Sequence, residues 1–417
     1  MGKLRAFQIL FDNDREVYNS GDVISGQVLV DLEEAKQLRG IYMHFQGRAV
    51  VRWSEIESRG KSKVTIYFHS GEQYFDTIIT IFGKDRTASE DLQYTLDAGI
   101  HRFPFQFQLP NRPMPCSFEG TLGYVRFFMR AVIDRPWKFD HVTKRAFTVA
   151  GIPYDLNKIS NPMTPVSAED EKTVCCLCCA TGPISVSAST DKRVYLPGET
   201  VYISATMENR SNRSVHSLEA ELIQMVSYAA RRDGHGSPGY RTTSHVVTSV
   251  KSEGCGPYDQ ISWIGKPMII PPLPACCLEG CTFIDIRYYV KFTADVAQTP
   301  FDVDIMLEIV VGTIPLEGHY SLPDYGAATA GMESRHIQAG NHGDLCTKLT
   351  PTDIHKESPP PTYEAALDGV KEIRDEHDNE YTFGHLVYTP LYMIFKPPGS
   401  NENSSKRSSF RNKTTSV

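Results

Sequence analysis

Val125-Arg126-Phe127-Phe128-Met129-Arg130-Ala131 is answered farther along by Ile286-Arg287-Tyr288-Tyr289-Val290-Lys291-Phe292. Position for position, both read apolar, cationic, aromatic, aromatic, apolar, cationic, apolar. Such a recurrence marks an internal duplication, which sets the architecture before any element is assigned. The flanks extend the match. Val17-Tyr18-Asn19-Ser20-Gly21-Asp22 leads into Val23–Val28, and Val194-Tyr195-Leu196-Pro197-Gly198-Glu199 leads into Thr200–Ala205. Both read V-Y-x-x-G-acid and then strand, a turn in which glycine takes a positive φ without steric cost. Val149-Ala150-Gly151-Ile152-Pro153 and Val311-Gly312-Thr313-Ile314-Pro315 close the two copies. The first copy is longer between its matched ends, and the excess is assigned to the Ser54–Asp97 region, around the polar Gly60–Lys63 turn.

Each copy is patterned as all-β. Leu4, Ala6, Ile9 and Phe11 open an apolar-rich strand; Ile41, Met43 and Phe45 alternate, as do Leu218, Ala220 and Leu222. Phe103, Phe105 and Phe107 face one way, with His101, Arg102, Gln106 and Gln108 breaking up the run. A period of two places alternate side chains on a core face and a wet face. The expected fold class is two tandem immunoglobulin-like β-sandwiches, residues 1–152 and 179–315, joined by a connector at 153–178 that carries a cysteine cluster. Residues 316–417 form a tail rich in Gly, Ser, Thr, Pro and charge, read as largely disordered apart from short motifs.

Over 417 residues, 50 acidic and 43 basic side chains leave a net charge of −7, which argues against a general nucleic-acid binder. No apolar run approaches the roughly 20 residues that span a bilayer. The start, MGKLRAFQIL, lacks a signal-peptide core, and Ala6 stands where a myristoylation motif wants a hydroxyl. Ten cysteines without a secretory signal are expected as reduced thiols in the cytoplasm.

Motifs for catalysis do not hold up. Gly234, Gly236 and Gly239 satisfy G-x-G-x-x-G, but Arg231-Arg232-Asp233 precedes them where a dinucleotide site needs a hydrophobic strand, so they read as a hairpin loop. G-x-S-x-G, the P-loop and H-E-x-x-H are all missing, and no enzyme, cofactor or metal is expected. Cys175, Cys176, Cys178 and Cys179 admit palmitoylation, a zinc site shared with Cys277 and Cys281, a thiol–disulfide contact, or simply small apolar packing.

The tail carries the ligand motifs. Pro359-Pro360-Pro361-Thr362-Tyr363 contains a PPxY sequence; its prolines are pre-organised in polyproline II, so little entropy is lost on docking. Pro360 and Pro361 would pack on the aromatic residues of a WW domain and Tyr363 would fill the next pocket. Thr389-Pro390-Leu391-Tyr392 is a partial echo, in the apolar stretch 386–395. It reads either as a degenerate second WW ligand or as a hook that docks back on the β units. Thr415-Ser416-Val417 matches a C-terminal PDZ ligand through Thr415 and Val417. Lys406, Arg407, Arg411 and Lys413 form a basic stretch that reads as a solvated tail, with weak contact to anionic lipid as the alternative.

The duplicated sandwiches, the V-Y-x-x-G-acid turns and the PPTY of the tail together resemble the α-arrestins, the arrestin domain-containing proteins. The Thr181-Gly182-Pro183-Ile184-Ser185, Pro271-Pro272-Leu273 and Val311–Pro315 stretches are particularly similar. The resemblance implies an arrestin fold over residues 1–315 and a non-enzymatic adaptor. Its body would engage membrane receptors or transporters, and its PPxY would recruit WW domains of HECT-type ubiquitin ligases. It further implies peripheral placement at the plasma membrane and endosomes. Pro360, Pro361 and Tyr363 carry over fully; Thr389 departs from the second PPxY that the family often has. Some relatives bind thioredoxin through a cysteine, and no local match assigns that role to Cys255 or another thiol. The competing expectation is a structural sorting or coat scaffold, like the arrestin-fold subunit of retromer, without ligase recruitment.

Overall fold

The computed structural model describes residues 4–13, 15–85, 92–176, 179–297, 299, 302–318, 371–375 and 378–395. Both V-Y-x-x-G-acid sequences fold as the same turn. Gly21 and Gly198 take φ of +82° and +98°. Asn19 N–H donates to the Asp22 carboxylate at 2.7 Å, and Leu196 N–H to that of Glu199 at 2.8 Å. A cation placed just before the strand holds each acid, Arg15 on Asp22 and Lys192 on Glu199. Tyr18 O–H donates to the Arg15 carbonyl at 2.9 Å and Tyr195 O–H to that of Lys192 at 2.8 Å. In both turns the cation lies 4.9 Å from the tyrosine ring centroid. The acid is therefore required twice over: it caps a backbone donor and it neutralises the neighbouring cation.

In the first unit the strands are β1 (Leu4–Phe11), β2 (Val17–Tyr18), β3 (Val23–Leu32), β4 (Lys36–Leu38), β5 (Gly40–Arg59) and β6 (Ser62–Gly83). They continue as β7 (Tyr94–Leu96), β8 (Gly99–Gln108), β9 (Phe118–Glu119), β10 (Gly123–Asp134) and β11 (His141–Val149). After a 3₁₀ turn at Leu156–Lys158 come β12 (Ser167–Cys176), β13 (Cys179–Thr190), β14 (Val194–Tyr195), β15 (Thr200–Asn209) and β16 (Val215–Arg232). The second unit ends with β17 (Pro238–Glu253), β18 (Gln260–Ile269), β19 (Ile284–Val296) and β20 (Val303–Val311). The tail adds β21 (Lys371–Glu372), β22 (Thr382–Gly384) and β23 (Val387–Tyr388).

Each unit is a sandwich. Sheet β1-β3-β8 faces β6-β5-β10-β11-β2, and β12-β13-β15-β18 faces β17-β16-β19-β20-β14. Rings span the gap between layers: Phe45 of β5 stacks on Phe107 of β8 at 4.2 Å, and Trp263 of β18 meets Phe292 of β19 at 5.1 Å. The two larger sheets join where Arg231 and Arg232 of β16 pair with His69 and Phe68 of β6, making one 12-stranded sheet. The duplicated heptapeptides are the central strands β10 and β19, each flanked by neighbours on both sides. Val125, Phe127, Met129 and Ala131, and Ile286, Tyr288, Val290 and Phe292, are fully buried. Each large apolar side chain so buried contributes about 1.5–3 kcal/mol.

The extra length of the first unit sits mainly between β6, ending at Gly83, and β8, starting at Gly99; β17 and β18 are separated only by the shorter Gly254–Asp259 link. Gly234 and Gly236 lie in the loop between β16 and β17, where Gly234 takes φ +83°, with Gly239 just inside β17. This is the glycine-rich hairpin that the sequence suggested. One strand falls inside the stretch expected as a connector: β12 pairs antiparallel with β13 along Ser167–Cys176. Its sequence SAEDEKT is charged because β12 is an edge strand, and charges on an edge discourage pairing with other chains.

Candidate functional site

The outer face of the first large sheet breaks the in–out alternation. On β10, Arg126 and Phe128 point away from the sandwich core yet are buried, and Lys144 of β11 is 1% exposed. Cross-strand pairing sets Arg130 directly opposite Lys144, with Arg48 of β5 opposite Arg126. Like charges facing each other across a sheet are unfavourable unless something neutralises them.

The tail supplies that neutralisation for Lys144, Arg130 and Arg48. Its acidic turn lies on the cations: Lys144 Nζ donates to Asp378 at 2.6 Å, to Asp375 at 3.0 Å and to the Ile373 carbonyl at 3.1 Å. All three ammonium protons thus have acceptors. Arg48 reaches Asp375 at 3.2 Å and Arg130 reaches Asp378 at 3.5 Å. Asp375 N–H donates to the Asp378 carboxylate at 2.8 Å, which fixes the turn itself. The Phe128 ring lies under the cluster, 5.0 Å from Lys144 Nζ and 5.3 Å from the Arg48 guanidinium.

From there the tail becomes a strap. β22 adds to the edge of β11 in parallel, Val142 opposite Thr382, while β2 occupies the far half of the same edge. Tyr388 O–H donates to the Phe147 carbonyl at 3.1 Å and lies 3.1 Å from the Thr148 hydroxyl. Leu391 N–H donates to the same Thr148 oxygen at 3.1 Å, and Tyr392 O–H to the Ser117 carbonyl at 2.9 Å. Finally Phe395 N–H donates to the Pro197 carbonyl at 2.8 Å, inside the turn of the second unit. The strap therefore begins on one sandwich and ends on the other. Beneath it, Arg126 and Glu119 form a buried bidentate pair at 2.6 and 2.7 Å.

The residues singled out in the sequence fall in different places. Pro360, Pro361 and Tyr363 lie outside the described residues, as do Thr415, Val417 and Cys178. Pro390, Leu391 and Tyr392 lie in the strap: Pro390 is buried, and the Leu391 backbone and the Tyr392 hydroxyl are bound to the body. A WW domain reaches this motif only after the strap lifts. The backbones of Cys176 and Cys179 pair at the closed end of the β12–β13 hairpin, next to Cys175. Among the described residues, five further thiols are poorly suited to nucleophilic chemistry: burial pushes Cys116 and Cys276 up to about 12 and raises Cys255, Cys277 and Cys281 as well. Among the described residues no cluster of His, Cys, Asp and Glu is arranged to hold a metal ion, and no helix is long and apolar enough to cross a membrane. Asp375, Asp378 and their cationic seat were missed from the sequence; the available signal was Phe128, an aromatic on a face expected to be wet.

The comparisons with known proteins agree with this architecture. The family model for the arrestin (or S-antigen) N-terminal domain matches residues 7–157, and that for the arrestin C-terminal domain matches 180–316. Human arrestin domain-containing protein 4 is 31% identical over 322 residues, covering 76% of this chain and 73% of that protein. Arrestin domain-containing protein 17 of Caenorhabditis elegans is 28% identical over 440 residues, covering 95% and 100%. Human thioredoxin-interacting protein is 25% identical over 409 residues, covering 96% of each chain.

Proposed function

The chain belongs to the arrestin family, in its α-arrestin branch, and from that premise we propose that it is a non-catalytic adaptor bringing a WW-domain HECT-type ubiquitin ligase to membrane receptors or transporters. Ubiquitination, endocytosis and endosomal sorting of the cargo follow from raised effective concentration. In this reading the protein is cytoplasmic and acts at the plasma membrane and endosomes. Pro360, Pro361 and Tyr363 dock the ligase; Thr415 and Val417 serve a PDZ partner; acylation of Cys175, Cys176, Cys178 and Cys179 tightens membrane residence.

The observation that supports the proposal is that the partial motif Thr389–Tyr392 is engaged by the body, which leaves the full PPxY as the ligand motif of the tail. Tyr392 is bound into the body through Ser117, whereas the full PPxY follows, in sequence, the arrestin C-terminal domain match that ends at residue 316, and lies outside the described residues. In this reading Tyr392 anchors the tail and Tyr363 recruits the ligase. The test is capture by isolated WW domains of a HECT-type ligase, followed by cargo ubiquitination in cells. Tyr363→Ala should abolish most capture; capture unchanged by that substitution would sink the proposal. Co-purification in a fixed-stoichiometry coat, independent of Tyr363, would instead favour the sorting scaffold.

A further inference from the structure

The loop joining β10 to β11 ends in Trp137-Lys138-Phe139, and all three residues are exposed. Trp137 is 94% exposed and Phe139 69%. Tryptophan is on average among the more buried residue types, so a nearly bare indole requires a reason. The backbone adds a second oddity: Trp137 has φ +61°, a left-handed conformation that a bulky residue adopts rarely and at a cost.

The tip is braced. Arg39 pairs with Asp134 at 2.6 Å and its N–H donates to the Asp134 carbonyl at 2.9 Å. Arg135 N–H donates to the Asp140 carboxylate at 3.0 Å, and the Arg135 guanidinium donates to the Phe139 carbonyl at 2.7 Å. Both acids of the loop are thereby engaged at its base, and the exposed Lys138 stands between Trp137 and Phe139 in sequence. Arg135 and Lys138 both lie close enough to Lys36 to act on it: burial first, and then these two cations, push it down to about 8. The strap widens the aromatic surface. Tyr381 stacks on Phe139 with ring centroids 6.0 Å apart, and Phe383, itself 41% exposed, lies 6.1 Å from the His141 ring.

We propose that this Trp137–Phe139 tip is a membrane-contact site that inserts into the headgroup region of an anionic bilayer. Tryptophan is the side chain enriched at the membrane–water interface, where its ring sits among headgroups, and a lysine beside it meets acidic lipid. The geometry favours lipid over a protein partner. A protein interface needs roughly 800 Å² from each side, with its aromatic anchor at the centre of a packed surround. Here the anchor stands at the end of a narrow loop, with solvent around it. The site stands apart from the ligase reading, because vesicles contain neither ligase nor cargo.

Trp137 supplies its own probe. The chain has 3 tryptophans; the Trp53 ring stacks on Phe68 at 5.0 Å, and Trp263 is 7% exposed. The experiment mixes full-length protein with phosphatidylcholine vesicles, with or without phosphatidylserine, and reads co-sedimentation and tryptophan emission. The expected result is a blue shift on phosphatidylserine vesicles, quenched by brominated acyl chains and missing in Trp137→Ser. Trp137→Ser and Phe139→Ser should each weaken binding about tenfold or more. Lys138→Glu should weaken binding to phosphatidylserine vesicles and reduce its salt dependence. Because Trp137 and Phe139 are exposed, these variants should fold, which an unchanged melting temperature verifies. Binding without any change in Trp137 emission would place the contact elsewhere, in the basic tail for example, and overturn the proposal. Loss of cargo capture by Trp137→Ser with undiminished vesicle binding would overturn it in favour of a protein partner.

Discussion

Lys144 and Asp378 are separated by 234 residues in the chain, yet the ammonium of one donates to the carboxylate of the other at 2.6 Å with both side chains 1% exposed. Breaking a buried pair on one side leaves an uncompensated charge and typically costs about 3–5 kcal/mol. Asp378→Ala should therefore do one of two things: lower the melting temperature by several degrees, or release the strap so that water reaches Lys144. Release of the strap should make the bond after Arg374 a preferred trypsin site, cut faster than in the wild type. Adding Lys144→Met should restore part of the melting temperature, because no bare charge then remains. Equal protease resistance in Asp378→Ala and wild type would show that the pair does not hold the strap.

Tyr392 and Tyr363 are predicted to dissociate in function. Tyr392→Phe removes the bond to the Ser117 carbonyl and should cost about 1 kcal/mol; Tyr392→Ala also empties packing against the core and should cost about 3 kcal/mol. Both should leave capture by a single WW domain unchanged. Tyr363→Ala should behave in the opposite way, with normal melting and lost capture. Thermal melts and pull-downs on the same three variants decide the matter.

What the sequence discloses depends on how local the physics is. The Gly21 and Gly198 turns were legible because tyrosine, glycine and acid lie within a few residues of each other; the cations Arg15 and Lys192 that hold the acids were added by the structure. The central strands β10 and β19 were legible because a period of two reports two faces. β12 was not, since an edge strand carries charges that mask its period. The strap was hardest: Asp375 and Asp378 meet Lys144 only after the chain has folded twice, and acids in a polar tail resemble any solvated run. The apolar 386–395 stretch left ligand and hook both open, because a buried tyrosine and a WW-binding tyrosine have the same sequence. Trp137 gave no periodic signal, being a single residue at a loop tip.

His141 predicts a pH dependence with a definite sign. Burial, then the positive charges of Lys36 and Arg135, hold its imidazole down to about 3 from an ordinary value near 6.5. Lys36 Nζ lies 3.1 Å from its Nε2, so the neutral ring accepts from the ammonium. Tyr381 and Phe383 of the strap cover the other sides. Between pH 6.5 and 3 the unfolded chain binds a proton that the folded one refuses, so this group lowers stability as pH falls, by about 1.4 kcal/mol per unit. His141→Gln removes that term. The melting temperature of the variant should fall less than that of wild type between pH 7 and pH 4.5. Parallel curves would mean that His141 protonates freely in the folded state.

Gly21 and Gly198 occupy equivalent turns, and alanine should nonetheless affect them unequally. At Gly21 an added Cβ meets the Asn111 side-chain oxygen at 3.2 Å, so the main cost is the positive φ of +82°, about 1–2 kcal/mol. At Gly198 the same strain applies at φ +98°, and the Cβ also falls 2.2 Å from the Phe395 carbonyl oxygen and 2.8 Å from Ile394. There the strap must move. Gly198→Ala should therefore release the end of the strap from the second sandwich and expose the Phe395 region to chymotrypsin, whereas Gly21→Ala should lower the melting temperature without that cleavage. The comparison separates the turn's own stability from its role as a seat for the tail, because the two substitutions share the backbone strain and differ in what lies above it. Identical proteolysis patterns for the two variants would mean that the tail does not rest on the second turn.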